Sequence, residues 1–148
     1  TNYYIPNSKH LIGEEEPALS DLSYIPKSEH KTLWIGYFWS GCVGDYKRGL
    51  EIMGIGVIDI DNHKCMTLGS IHTPDCKTLD NMDKNLVDWY SCCLISRKDK
   101  LQSISKTVVA DAFFSKETFV TPMCENGFHV ISRFTVSYTH LRAHETEA

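Results

Sequence analysis

Two aspartates stand where an ionised side chain needs a reason to be. Asp111 closes the run "KTVVADAFF", behind Val108, Val109 and Ala110 and ahead of Phe113 and Phe114. Asp21 lies inside the apolar–polar stretch "ALSDLSYIP". A buried carboxylate without a partner costs several kcal/mol, so such a residue is paired, exposed or bound to a metal. Either acid alone reads equally well as a hydrogen-bonded or salt-bridged structural residue. Brought together, two carboxylates repel unless a divalent cation sits between them, and oxygen-only ligation suits Mg²⁺ or Mn²⁺. Lys27 and Lys31 follow Asp21 closely and are candidate phosphate contacts, or equally plain solvated lysines. Of the other acids, Asp59 and Asp61 read as turn residues, and Glu51 as a solvated edge charge or half of an ion pair.

The elements that must position these residues follow from hydrophobic period. "GEEEP" reads as an acidic loop, and "ALSDLSYIP" as a short strand stopped by Pro26. "KTLWIGYFWSG" is rich in β-branched and aromatic residues and reads as a second strand. Its Trp34, Tyr37, Phe38 and Trp39 fit core positions better than base-stacking ones. "GLEIMGIGVIDID" is almost continuously apolar, as in a strand buried on both faces, and "DNHK" turns it into a hairpin with "CMTLGSIHTP". From Thr78 the period changes. Leu79, Met82, Leu86, Trp89, Tyr90 and Cys93 form the stripe of one long amphipathic helix. "KTVVADAFF" is again a strand, Ser115 is placed to cap a helix over "KETFV", Pro122 strains that helix, Gly127 ends it, and "FHVISRF" is a last strand. The fold class is therefore α/β with a mixed sheet: strands, long helix, strand, short helix, strand.

The 148 residues suit one domain, and 42% hydrophobic with 23% charged residues exclude a disordered chain. No apolar run reaches the ~18 residues of a membrane span. The start lacks a signal-peptide pattern and an initiator Met, which leads one to expect a chain cut from a longer reading frame. A net charge of −4 argues against a stand-alone nucleic-acid binder but not against an enzyme acting on DNA, where a local basic stripe matters more than the sum. The six cysteines form no C-x-x-C pair and read as reduced, mostly buried thiols of a cytoplasmic protein. A zinc site from His63, Cys65, His72 and Cys76 would match no common finger spacing. The end, "TVSYTHLRAHETEA", has neither periodicity nor capping logic, and Val136–Thr146 is the translation of a common sequencing-library adapter. Residues 135–148 are therefore read as a non-native tail, His140 and His144 are not taken as metal ligands, and the natural sequence is expected to stop at Phe134.

A strand-borne Asp, further strands, a helix, then a strand ending in Asp is the element order of the ribonuclease-H-like fold, in which the two Asp-bearing strands are neighbours. "DLSYIPKSEHKT", "GYFWSG", "KRGLEIMGIGVIDIDNH" and "VVADAFFSKETFV…GFHVISRF" closely resemble the catalytic core of IS4-like DDE transposases of bacterial insertion sequences, over Leu19 to Phe134. The resemblance implies a partial catalytic domain over residues 1–134, with Asp21 and Asp111 as its first two metal-binding acids. It also implies two Mg²⁺ (or Mn²⁺) ions in the intact parent, transposon-end DNA as partner, and a homo-multimer that cleaves and joins DNA strands. The chain departs from the family pattern at Ser28-Glu29-His30, where Ser-Gly-Lys is usual, and at Leu22 and Leu33. The family's third acid, a Glu on a later helix, has no counterpart before the tail, and Glu145 and Glu147 are not taken for it. The expectation is a fragment with two ligands and little or no activity. Another ribonuclease-H-like nuclease, or a non-catalytic α/β module with Asp111 paired to Lys116 or Arg133, are the alternatives.

Overall fold

A computed structural model of the chain describes residues 15–29 and 31–133, with side chains from Leu22 onward. The tail, with His140, His144, Glu145 and Glu147, lies outside the described residues, as do His30 and the side chain of Asp21.

The chain forms a mixed α/β domain. Its first strand, β1 (Glu15–Pro26), is longer than its sequence suggests: Glu15, Glu16 and Pro17 pair with Asp59, Ile58 and Val57 rather than forming a loop. Next come β2 (Gly36–Ser40), β3 (Asp45–Asp59) and β4 (Lys64–His72). The fifteen-residue β3 organises them all. One of its edges takes antiparallel β1 along nearly its whole length, while the other takes β2 over Asp45–Gly49 and β4 over Ile52–Asp59. Strand β5 (Thr107–Ala110) joins parallel to β1, and β6 (His129–Ser132) parallel to β5, giving the order β2-β3-β1-β5-β6 with β4 also on β3.

From Gly49 on, β3 mostly alternates buried and half-buried residues, so only one of its faces is fully covered, not both as its apolar run suggests. That face carries Met53, Ile55 and Val57 and packs beneath the helices. The expected single helix is two. Helix α1 (Cys76–Asn81) is capped by Asp75, whose carboxylate accepts from the Thr78 N–H at 2.8 Å. Helix α2 (Leu86–Ile95) starts afresh behind Asp83 (φ +52°), with a reciprocal capping box between Asn85 and Asp88. The box satisfies donors at a new helix start, so local hydrogen bonding interrupts a stripe that hydrophobic period alone would continue. Helix α3 (Lys98–Gln102) leads to β5.

After β5 a 3₁₀ turn (Ala112–Phe114) and α4 (Glu117–Glu125) follow. Ser115 does not cap α4, whose N-cap is Lys116. Its hydroxyl instead donates to the Ala112 carbonyl at 2.7 Å. Pro122 is accommodated inside α4, and Gly127 (φ +84°) ends it where a left-handed residue is required. On the hairpin β2–β3 the aromatics divide by strand parity: Phe38 is buried, while Tyr37 and Trp39 are exposed rather than core. Nor are the cysteines mostly buried, since only Cys93 is and the other five are exposed. Among the described residues no helix is long and apolar enough to cross a membrane.

Phe114 sits at the centre of the core, fully buried, with Tyr90, Phe113 and Phe119 rings at 5.9, 5.2 and 5.0 Å. It also anchors the turn that follows Asp111. Phe114→Ala is expected to destabilise the domain by about 3–5 kcal/mol, read as a lowered urea midpoint at an unchanged m value.

Candidate functional site

Parallel pairing of β1 with β5 is registered at Ala18 opposite Val109. Asp21 lies three residues beyond that pair within β1 and Asp111 two beyond it, just past the end of β5, so the two backbone positions fall on the same side of the pair on neighbouring strands. Between Leu19 and Leu22 the β1 strand carries two residues, Ser20 and Asp21, against the single Gly54 of β3. Such a bulge interrupts the regular alternation of side chains and re-aims those it carries.

Asp111 leaves β5 in extended conformation (φ −61°, ψ 160°) and its carbonyl accepts from the Phe114 N–H and the Ser132 hydroxyl, both at 2.9 Å. Its carboxylate is not consumed by this framework. The residue is exposed, makes no side-chain cap to the turn, and among the described residues forms no hydrogen bond or ion pair through its carboxylate. The two cations proposed as structural partners are not engaged with it: Lys116 lies over the Phe113 ring at 4.4 Å, and Arg133 forms no bond to it. Asp111 therefore ends an apolar strand with its side chain available.

A cavity of about 880 Å³ opens beside it, lined by Asp111 and Phe113, by Leu22 and Tyr24 of β1, and by Glu51 and Thr73. This is the size of a small-ligand site. Glu51 is neither a solvated edge charge nor an ion-pair partner. It shares the buried parity of β3 with Met53 and Ile55 and is 6% exposed. The Thr73 hydroxyl donates to its Oε1 at 3.2 Å, and Thr73 in turn is hydrogen-bonded to the fully buried Tyr90 hydroxyl. Thr73 thus links Tyr90 of α2 to Glu51 of β3 in one hydrogen-bonded group. Burial raises the Glu51 pKa above its usual value, the Thr73 bond offsetting part of that effect. Burial likewise raises the pKa of Tyr90, so the phenol stays protonated and a donor. These residues were legible only in part: Glu51 sits in the buried alternation of β3 and Tyr90 in the helical stripe, but no spacing joins them.

Lys27 and Lys31 are exposed in the loop after β1. The Arg48 guanidinium holds that loop by donating to the Ser28 carbonyl at 3.1 Å and the Glu29 carbonyl at 3.4 Å. Asp59 is a turn residue as expected, accepting from the Asn62 amide N–H at 3.1 Å and side-chain nitrogen at 2.7 Å. The zinc set is not assembled. Among the described residues no three His, Cys, Asp or Glu side chains gather to hold a metal, a statement that does not reach the side chain of Asp21. No family model, curated protein or solved structure matches the chain.

Two outcomes test this hydrogen-bonded group. Tyr90→Phe removes the phenol from this group while Thr73 keeps its bond to Glu51, and is expected to cost about 0.5–1.5 kcal/mol in urea unfolding. The Glu51 carboxyl holds its proton to higher pH when folded than when unfolded, so stability must fall as pH rises from the ordinary Glu value of 4.5 through the raised folded one, and then level off. Glu51→Gln should flatten that limb and leave the variant the more stable protein at neutral pH, in urea midpoints taken across the acid-to-neutral range.

Proposed function

We propose that the chain carries the two-acid part of a metal-dependent site for DNA strand cleavage and transfer, in a ribonuclease-H-like catalytic domain of the IS4-like DDE transposase kind. The observation that carries the reading is the parallel β1–β5 register, with the Asp21 and Asp111 backbone positions on the same side of the Ala18–Val109 pair and an uncommitted carboxylate on Asp111. The sheet order supports the fold assignment: antiparallel β1, β3 and β4 on one side, parallel β5 and β6 on the other, with β2 as an additional short strand.

The donors fit the group that the resemblance implies. Carboxylate oxygen is the ligand Mg²⁺ and Mn²⁺ prefer, and Asp111 offers one that no described neighbour neutralises. Asp21 and Asp111 would hold the metal, which when bound lowers the pKa of an attacking hydroxyl and stabilises the leaving oxygen. The chain's own residues then position the substrate. The 3₁₀ turn and the Ser132 bond fix the Asp111 backbone at the strand end. Lys27 and Lys31, on a loop clamped by Arg48, would contact backbone phosphates and set the register of a DNA strand along the cavity. The resemblance's third acid has no counterpart through Phe134, so the chain alone is expected to cleave little, and the intact parent to act as a DNA-bound multimer.

Mn²⁺ titrated into the ¹⁵N-labelled chain is expected to broaden first the amide resonances around positions 18–22 and 109–113, and Asp111→Asn to abolish this. Broadening centred elsewhere, or unchanged in Asp111→Asn, would sink the assignment. Efficient Mg²⁺-dependent cleavage of DNA by the chain alone, abolished by Asp21→Ala, would contradict the view that the site is incomplete.

A further inference from the structure

The hairpin β2–β3 carries an aromatic surface that the two-acid reading does not use. Tyr37, Trp39 and Tyr46 are 67%, 54% and 61% exposed. The cross-strand register pairs Trp39 with Tyr46 and Tyr37 with Arg48, which puts all four on one face. Trp39 and Tyr46 meet edge-to-face, 5.5 Å between centroids and 75° between planes, so each ring holds the other in place. All three residues also border the cavity lined by Asp111 and Glu51. Three large exposed aromatics lining a cavity, two of them oriented by each other, are a poor solution for stability and a good one for binding.

Charge selects the ligand. The loop clamped by Arg48 carries Lys27 and Lys31 against Glu29, and Arg48 itself shares the aromatic face, a local basic excess on a chain of net charge −4. π-faces beside cations match unpaired nucleobases joined by phosphates: the rings stack on bases of any sequence and the cations follow the backbone. A second copy of this chain would bring its own cations against these, which favours a polyanion as the occupant.

We propose that Tyr37, Trp39 and Tyr46 form a stacking platform for unpaired bases of a single DNA strand entering the Asp111 cavity. This deepens the proposed function, naming an unpaired strand as the form in which substrate meets the site, but it does not depend on metal. Stacking on one such ring changes affinity by about 5- to 100-fold.

The test is fluorescence anisotropy of a labelled oligo(dT) strand with the whole chain at low salt and with EDTA present. The single strand is expected to bind more tightly than a duplex of equal length. Trp39→Ala and Tyr37→Ala should each weaken it by about 5- to 100-fold, Trp39→Phe should retain most of the affinity, and Lys100→Ala on α3 should change nothing. The phenylalanine variant separates lost stacking from lost folding, since it keeps the edge-to-face pair. Equal binding of duplex and single strand, or full affinity in both alanine variants, would overturn the proposal. So would a concentration-dependent dimer in light scattering that Trp39→Ala dissolves, because the platform would then be a contact between copies. Because EDTA removes divalent ions, binding here can succeed while Mn²⁺ binding at Asp111 fails, and the reverse.

Discussion

The parallel contact between β1 and β5 is the constraint on which the rest depends. Parallel neighbours cannot be joined by a tight turn, so the chain must leave β1, build other structure and return in the same direction. Here the excursion runs from Lys27 to Lys106 and contains the β2–β3–β4 ribbon and helices α1 to α3. Closing so long a loop is opposed by chain entropy, and the compensation comes from the apolar layer between the helices and one face of the sheet. Met53, Val108, Leu94, Phe114 and Phe119 meet in that layer. The alignment of Asp21 and Asp111 is thus a product of the whole core, although neither residue contributes apolar packing to it.

Against this apolar layer stands one polar intrusion. Glu51, Thr73 and Tyr90 join β3, the residue after β4 and α2 through hydrogen bonds inside the core. Burying a carboxyl there is unfavourable for its ionised form, and the Thr73 hydroxyl limits the penalty without removing it. Because the same carboxyl lines the Asp111 cavity, a stabilising apolar substitution there would also change the cavity's chemistry. The exposed rings of Tyr37, Trp39 and Tyr46 are a second departure from what stability alone favours, and both departures border the same cavity.

Several elements were legible because local patterns determine them. Aromatic and β-branched composition located β2, a nearly continuous apolar run located β3, Gly127 ended α4, and the Asp59 turn followed from turn chemistry. The errors arose where a second local signal competed. The stripe through Leu79 and Leu86 continued past a capping box that restarts the helix, and an acidic, proline-containing segment joined β1 because β3 was long enough to pair with it. The aromatics of β2 were assigned by type, whereas strand parity put Phe38 inside and Tyr37 and Trp39 outside.

By itself, the sequence determined which acids stand where local packing gives them no partner and roughly where each strand and helix lies, since those depend on side-chain type and on contacts within a few positions. It marked Asp111 as an acid without a local reason. Tertiary structure alone decided that β5 returns beside β1, that Asp111 keeps an uncommitted carboxylate, that Glu51 is buried against Thr73, and that three aromatic rings share one cavity with both acids. Those relations join residues tens of positions apart, and strand register and packing set them rather than any spacing along the chain.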